Sequence, residues 1–153
     1  MVPVGAGTLL LGVARGFAAL ARRGAVEGVP RIYGVQASAS APLALAFERG
    51  LDAPVAVDVG ETAAEGIKIA SPPRGAEIIA AVRASGGAIV SVREQDLWRA
   101  YDRLGAQGVL VEPTSAIAFA AAERLPLRAG EETVIAVTAT GLKAPVLSGP
   151  LSA

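Results

Sequence analysis

The chain has 153 residues, its 14 basic and 14 acidic side chains balance to zero, and it contains neither cysteine nor histidine. The missing cysteine excludes a disulfide framework, a thiolate nucleophile and a zinc knuckle; the missing histidine excludes a Ser-His-Asp triad and imidazole metal ligation. Balanced charge argues against a general nucleic-acid binder, which carries a basic excess, and the length suits one domain with its own hydrophobic core.

Met1–Val4 is a short apolar stub. Thr8–Arg23 reads as a helix, with Leu9, Val13, Phe17 and Leu20 on one face. Arg31–Gln36 is strand-like. Ser40 is placed to cap a helix with Pro42 in its first turn, running to about Arg49. Residues 51–61 read as loop and Thr62–Ile67 as a short helix. Pro72-Pro73 breaks the chain, and Gly75–Ala84 resumes as helix. Ala88–Val92 is a strand, followed by a helix over Glu94–Gly105 with Leu97, Tyr101 and Leu104 on one side. Val109–Val111 is a short strand. Pro113 opens a helix to about Leu125, and Thr133–Thr138 is the last strand.

The alternation of Val/Ile-rich strands with helices predicts an α/β fold of three layers, a mostly parallel sheet covered by helices on its faces. The first strand is about four residues long, against a usual five or six. A central parallel strand that short predicts a sheet begun elsewhere.

The apolar stretch Val2–Leu20 is interrupted by Arg15 and punctuated by glycines, so it does not read as a membrane span. Its first positive charge follows the apolar run instead of preceding it, unlike a secretory signal. Residues 1–26 hold three arginines and no acid, a faint transit-peptide composition. A cytoplasmic location without membrane attachment is expected.

Val4-Gly5-Ala6-Gly7-Thr8-Leu9 lies where a strand turns into a helix. Glycines allow positive φ and close backbone approach, and a helix start offers unpaired N–H groups and a positive dipole end. Together they form a phosphate cradle; a plain tight turn with a packing glycine is the structural alternative. A dinucleotide fingerprint is not matched, because Leu10 stands where its third glycine belongs, and there is no Gly-Lys-Ser/Thr of a Walker loop.

Five collinear segments carry a family resemblance: residues 2–12 around this loop, Pro30–Gln36 with Ala41-Pro42-Leu43, Glu61–Ile67 with Pro72-Pro73-Arg74-Gly75, Val111–Ala116, and Val137–Pro145. In this order they resemble the fold-type-II pyridoxal-phosphate enzymes of the tryptophan synthase β-like family, threonine synthases above all. The resemblance implies that Gly5, Ala6, Gly7 and Thr8 hold the phosphate of pyridoxal 5'-phosphate and that Thr138 faces its pyridine nitrogen. Glu65 lies in a loop that borders the cofactor ring in such enzymes. A hydroxyl at Thr138 cannot keep that nitrogen protonated as a carboxylate would, which suits elimination and replacement better than transamination. Ser115 and Glu112 read as helix-start residues. Where threonine synthase endings carry Gly, His and Asp, this chain has Ala139, Thr140 and Ala144.

The resemblance also defines what is missing. The Schiff-base lysine of such enzymes precedes the glycine loop, and the two lysines here, Lys68 and Lys143, match no catalytic position. The whole chain, 1–153, therefore reads as a single domain equivalent to the C-terminal half of such an enzyme. The parent would be a lyase or replacement enzyme acting on a small amino acid such as O-phosphohomoserine, and the chain is expected to be inactive alone. A threonine/serine dehydratase-like parent, one subunit of a split enzyme completed by a separate N-terminal half, and a non-catalytic phosphate-ligand module are the alternatives. A first strand lacking a neighbour would leave an open edge, so self-association is expected.

Overall fold

The computed structural model describes residues 1–125 and 130–143. Three strands, β1 (Val2–Pro3), β2 (Tyr33–Ala37) and β3 (Ala88–Val92), form a parallel sheet in the order β1-β2-β3. Val2 pairs with Gly34, and Val35 with Val90. Among the described residues five α-helices accompany them: α1 (Thr8–Arg22), α2 (Pro42–Glu48), α3 (Gly75–Ala84), α4 (Glu94–Ala106) and α5 (Pro113–Ala122).

Side-chain alternation divides the core between the two faces of the sheet. Val2, Val4, Ile32 and Ile89 pack with Leu10 and Leu11 of α1, Leu43 of α2, and Ile78, Ile79 and Val82 of α3. Val35, Ala37 and Val92 pack on the opposite face with Leu97 and Ala100 of α4 and Ile117, Ala118 and Ala121 of α5. Each fully buried Leu, Ile or Val contributes about 1.5–3 kcal/mol. The three-layer α/β arrangement is therefore present. Helix α5 is apolar on every side because it is enclosed by the sheet and α4, and its alanines allow that close approach.

Several elements differ from their sequence-based expectation. The buried side of α1 carries Leu10 and Leu11, whereas Leu9 and Leu20 are exposed. Three successive leucines leave the periodicity ambiguous, and contact with Ile78 and Ile79 decides the orientation. Ser40 does not cap α2. It ends a 3-10 turn over Ser38–Ser40, and Ala41 holds the N-cap position. The buried Gln36 of β2 does the capping: its Oε1 accepts the N–H groups of Leu43 (2.9 Å) and Ala44 (3.0 Å). Of the helix expected over Thr62–Ile67, one 3-10 turn forms, Glu65–Ile67. Val109–Val111 is not a strand, and Val111 makes an isolated antiparallel bridge with Thr140. α5 stops at Ala122, short of Leu125.

The expected last strand, Thr133–Thr138, has a clear physical reason for not becoming one. The Met1 amine donates to the Val134 carbonyl (2.6 Å), and the Ala136 N–H donates to the Met1 carbonyl (3.0 Å), one rung of a parallel pair. The next rung needs an N–H from residue 3, and Pro3 has none. The Val4 N–H points the other way, to Val35 (2.8 Å). The tail thus lies beside Met1 for one rung, while among the described residues Val2–Pro3 of β1 pair with β2 and stand at the edge of the sheet. Among the described residues, β3 pairs on one side, with β2. No helix of the described residues is long and apolar enough to cross a membrane.

Candidate functional site

The site is built where β1 enters α1. Gly7, the N-cap of α1, has φ +86°, a conformation that favours glycine. A Cβ there would stand 2.2 Å from Cδ1 and 2.6 Å from Cγ1 of Ile78, so the loop lies directly on α3. Leu11 donates its N–H to the Gly7 carbonyl (2.9 Å), which starts the helix. No side chain caps α1, and its first turn holds no acid. Thr8 is exposed at the first helical position and Ala6 is partly exposed. N–H donors at a positive dipole end, a hydroxyl beside them and no carboxylate in the turn make a donor set that fits a phosphate.

Two neighbouring segments close on this loop. A Cβ on Gly5 would meet Cα of Ile67 at 3.0 Å and the Gly66 carbonyl at 3.4 Å, so the 3-10 turn Glu65–Ile67 abuts the glycine loop. That turn is tied to the start of α5 by the Gly66 N–H, which donates to Thr114 Oγ1 (3.3 Å). The Glu65 carboxylate itself is exposed.

The residue after Thr114 is the hub of the far side. Ser115 is fully buried, and its Oγ accepts the N–H groups of Thr138 (3.0 Å) and Ala139 (3.1 Å). Its hydroxyl also meets Thr138 Oγ1 at 3.1 Å and the Ala139 carbonyl at 3.3 Å. Where Pro3 ends the pairing with β1, Ser115 takes over the backbone of the tail. Thr138 stays exposed at the end of its extended segment. Gly5, the 65–67 turn, Thr114-Ser115 and Thr138 therefore form one continuous chain of contacts. Glu112 is the N-cap residue of α5, and its N–H donates to the Ala139 carbonyl (3.2 Å).

Two supporting residues escape a reading of the sequence. Gln36 caps α2 and also donates Nε2–H to the Val4 carbonyl (3.3 Å), fixing the residue before Gly5. Glu94, the first residue of α4, accepts Thr62 Oγ1–H and the Ala63 N–H, both at 2.8 Å, and so holds the loop that leads to Glu65. The one available signal is a polar residue at the end of each buried strand, Gln36 in β2 and Glu94 after β3.

Lys68 Nζ pairs with Glu61 Oε1 at 3.0 Å, and Lys143 is exposed at the end of a 3-10 turn over Gly141–Lys143. Ala144 and Pro145 of the closing motif lie outside the described residues. Two concavities, of about 430 Å³ between α2 and β3 and about 530 Å³ beside Met1, Val13 and Phe17, are lined by none of residues 5–8, 65 or 138. Among the described residues no cluster of acidic side chains could hold a metal ion.

A family model described as pyridoxal-phosphate dependent enzyme matches residues 1–141. The threonine synthase of Methanosarcina acetivorans is 30% identical over 142 residues, which cover 90% of this chain and 35% of that protein. The threonine synthase of Methanocaldococcus jannaschii is 29% identical over 151 residues, 95% of this chain and 37% of that protein. The chain thus spans little more than a third of these relatives' length. Among solved structures, a threonine deaminase from T.th. superimposes with a TM-score of 0.62 at 27% identity, over 82% of this chain and 44% of that one. Maize serine racemase superimposes with a TM-score of 0.63 at 22% identity, over 79% and 34%, a likeness of fold.

Proposed function

Because the chain belongs to the pyridoxal-phosphate dependent enzyme family, we propose that it is the cofactor-phosphate half of a threonine synthase-like enzyme acting on a small amino acid such as O-phosphohomoserine. The observation that carries this reading is the uncapped, acid-free N-terminus of α1 behind a glycine held at φ +86°. Identity of 29–30% to proteins named threonine synthase supports the substrate class.

In this reading Gly5, Ala6 and Gly7 direct backbone N–H groups at the phosphate, and Thr8 adds its hydroxyl. Thr138 offers its Oγ1 to the ring nitrogen, and the backbone around Glu65 borders the ring. Pyridoxal phosphate, when bound, supplies the electron sink for cleavage at the amino-acid carbons. The chain contributes binding and orientation. Its lysines contribute no nucleophile: Lys68 is paired with Glu61 and Lys143 is exposed, whereas a nucleophilic lysine needs desolvation or a cationic neighbour. Activity therefore requires a lysine-bearing portion, supplied by further polypeptide or by a separate subunit. The one-sided pairing of β3 and the exposed Val134 and Leu142 support self-association in isolation.

Titration with pyridoxal phosphate, followed by cofactor absorbance, should show saturable binding that pyridoxal without its phosphate does not reproduce. Loss of that difference would remove the cradle. Borohydride reduction and peptide mapping should find no stoichiometric attachment at Lys68 or Lys143, and attachment at either would overturn the half-site reading. A dehydratase-like parent is favoured by Thr140, which replaces the histidine of threonine synthase endings, and by the likeness to threonine deaminase. Combined with a lysine-bearing portion, release of phosphate and threonine from O-phosphohomoserine supports the first reading. Release of ammonia and a 2-oxo acid from threonine supports the second.

A further inference from the structure

We propose that the outer face of α1, formed by Leu9, Val13, Phe17 and Leu20, is the docking surface for the lysine-bearing portion, and that a partner seated along it is delivered to the glycine loop. The inference deepens the proposed function and rests on its requirement for such a portion.

Helix α1 has two apolar sides, and the described residues cover one of them. Leu10 and Leu11 are buried with Ile78 and Ile79 of α3. Leu9, Val13, Phe17 and Leu20 recur at spacings of four, four and three, which stack side chains on one helix face. That stripe is left outside: Leu9 is 44% and Leu20 40% exposed, and Val13 and Phe17 are half-buried. Single exposed leucines are ordinary, whereas apolar residues in register along a helix form a contiguous strip of the kind that marks an interaction site.

The strip has two defined ends. Leu9 directly follows Thr8 of the phosphate cradle. Val13 and Phe17 wall the concavity of about 530 Å³, together with Met1, Val2 and Ile32. From Thr8 to Phe17 the helix rises about 14 Å. A partner lying on the strip therefore runs from the concavity to the cradle, where a lysine is needed.

Three observations select the occupant. The threonine synthases of Methanosarcina acetivorans and Methanocaldococcus jannaschii are matched over 35% and 37% of their length, so the larger part of each lies outside the match. Met1 is a wall of the concavity, so polypeptide fused ahead of it would enter there directly. Helix α1 holds no acid, and Arg22 and Arg23 are exposed at its end. A second copy offers the same basic helix, whereas a partner face bordered by carboxylates is attracted to it.

The chain has no cysteine, so single cysteine variants report what is covered. In the chain alone, Leu9→Cys and Leu20→Cys should react with a maleimide at the rate of Leu51→Cys, an equally exposed control, at every chain concentration. In a fusion where this chain replaces the matched 142 residues of the Methanosarcina acetivorans threonine synthase, positions 9 and 20 should slow by about tenfold or more, because a covered thiol reacts only through local opening. Position 51 should not change. Unslowed labelling at 9 and 20 in the fusion, with the fully buried Val35→Cys still protected, would overturn the proposal. Protection at 9 and 20 in the chain alone that rises with its concentration would seat a second copy on the strip and overturn it without the fusion. Titration of the fusion with pyridoxal phosphate is read separately. Saturable binding with 9 and 20 still labelled would sink this inference alone, and protection without binding would sink the proposed function alone.

Discussion

Replacing Gly7 by alanine should be among the most damaging single-methyl additions available in this chain. A non-glycine residue in the left-handed region costs about 1–2 kcal/mol. The added Cβ would also stand 2.2 Å from Cδ1 and 2.6 Å from Cγ1 of Ile78, a side chain with no exposure and so no free space to move into. Forcing a carbon into a packed core costs about 1–3 kcal/mol. Together these give a destabilisation of about 2–5 kcal/mol, read as a drop in urea midpoint at unchanged slope. Ile78→Val removes Cδ1, the nearer of the two clashing atoms, at a cost of its own of about 0.5–1.5 kcal/mol. In the double variant the two losses should sum to less than their separate values, a coupling that a mutant cycle isolates. Gly12→Ala is the control. It adds the same methyl to the same helix, nothing lies within 4 Å of it, and the residue is exposed. It should stabilise by about 0.5–1 kcal/mol through helix propensity. A Gly7→Ala loss below about 1 kcal/mol, less than the conformational cost alone, or strict additivity with Ile78→Val, would refute the claim that the loop's shape is set by its seat on α3.

Gln36→Leu should leave the N–H groups of Leu43 and Ala44 and the Val4 carbonyl without their partner, at about 1–3 kcal/mol for each buried group left unpaired; chemical denaturation reads the loss, and a neutral result would contradict the capping role. Glu94→Ala removes both carboxylate bonds to Thr62 and Ala63, so amide exchange over residues 63–67 should accelerate while that of α3 stays unchanged. The Arg93 hydrogen bond, with Arg124 and Arg99 nearby, holds the Asp96 carboxyl below the usual carboxylate range. Stability from this group is present above its ordinary pKa and lost as pH falls through the lowered one. The difference between the wild-type chain and Asp96→Asn should therefore be constant near neutrality and close on acidification; a difference that grew with acid would reverse the assignment.

Much of the fold is legible in local pattern. α3 and β3 occupy the residues expected of them because Pro72-Pro73 and Gly86-Gly87 punctuate the chain on either side and the apolar spacing between is unambiguous. The glycine loop is legible for the same reason: positive φ and an uncapped helix start are properties of a few consecutive residues. The family is legible because five such segments occur in one order.

The supports of the site are not local. Ser40 has the side chain of a cap and stands at the right place in sequence, yet Gln36 reaches across from β2 and takes the helix N–H groups. Thr133–Thr138 has the composition of a strand, and Pro3, more than a hundred residues away, denies it the second rung. Ser115 looks like a helix-start residue and serves as the anchor for Thr138. The sequence alone therefore determined the glycine loop and which elements would carry it. Tertiary structure decided how those residues are held, because a hydrogen bond is assigned by which donor and acceptor meet in space, and here the partners come from strands and helices far apart in the chain.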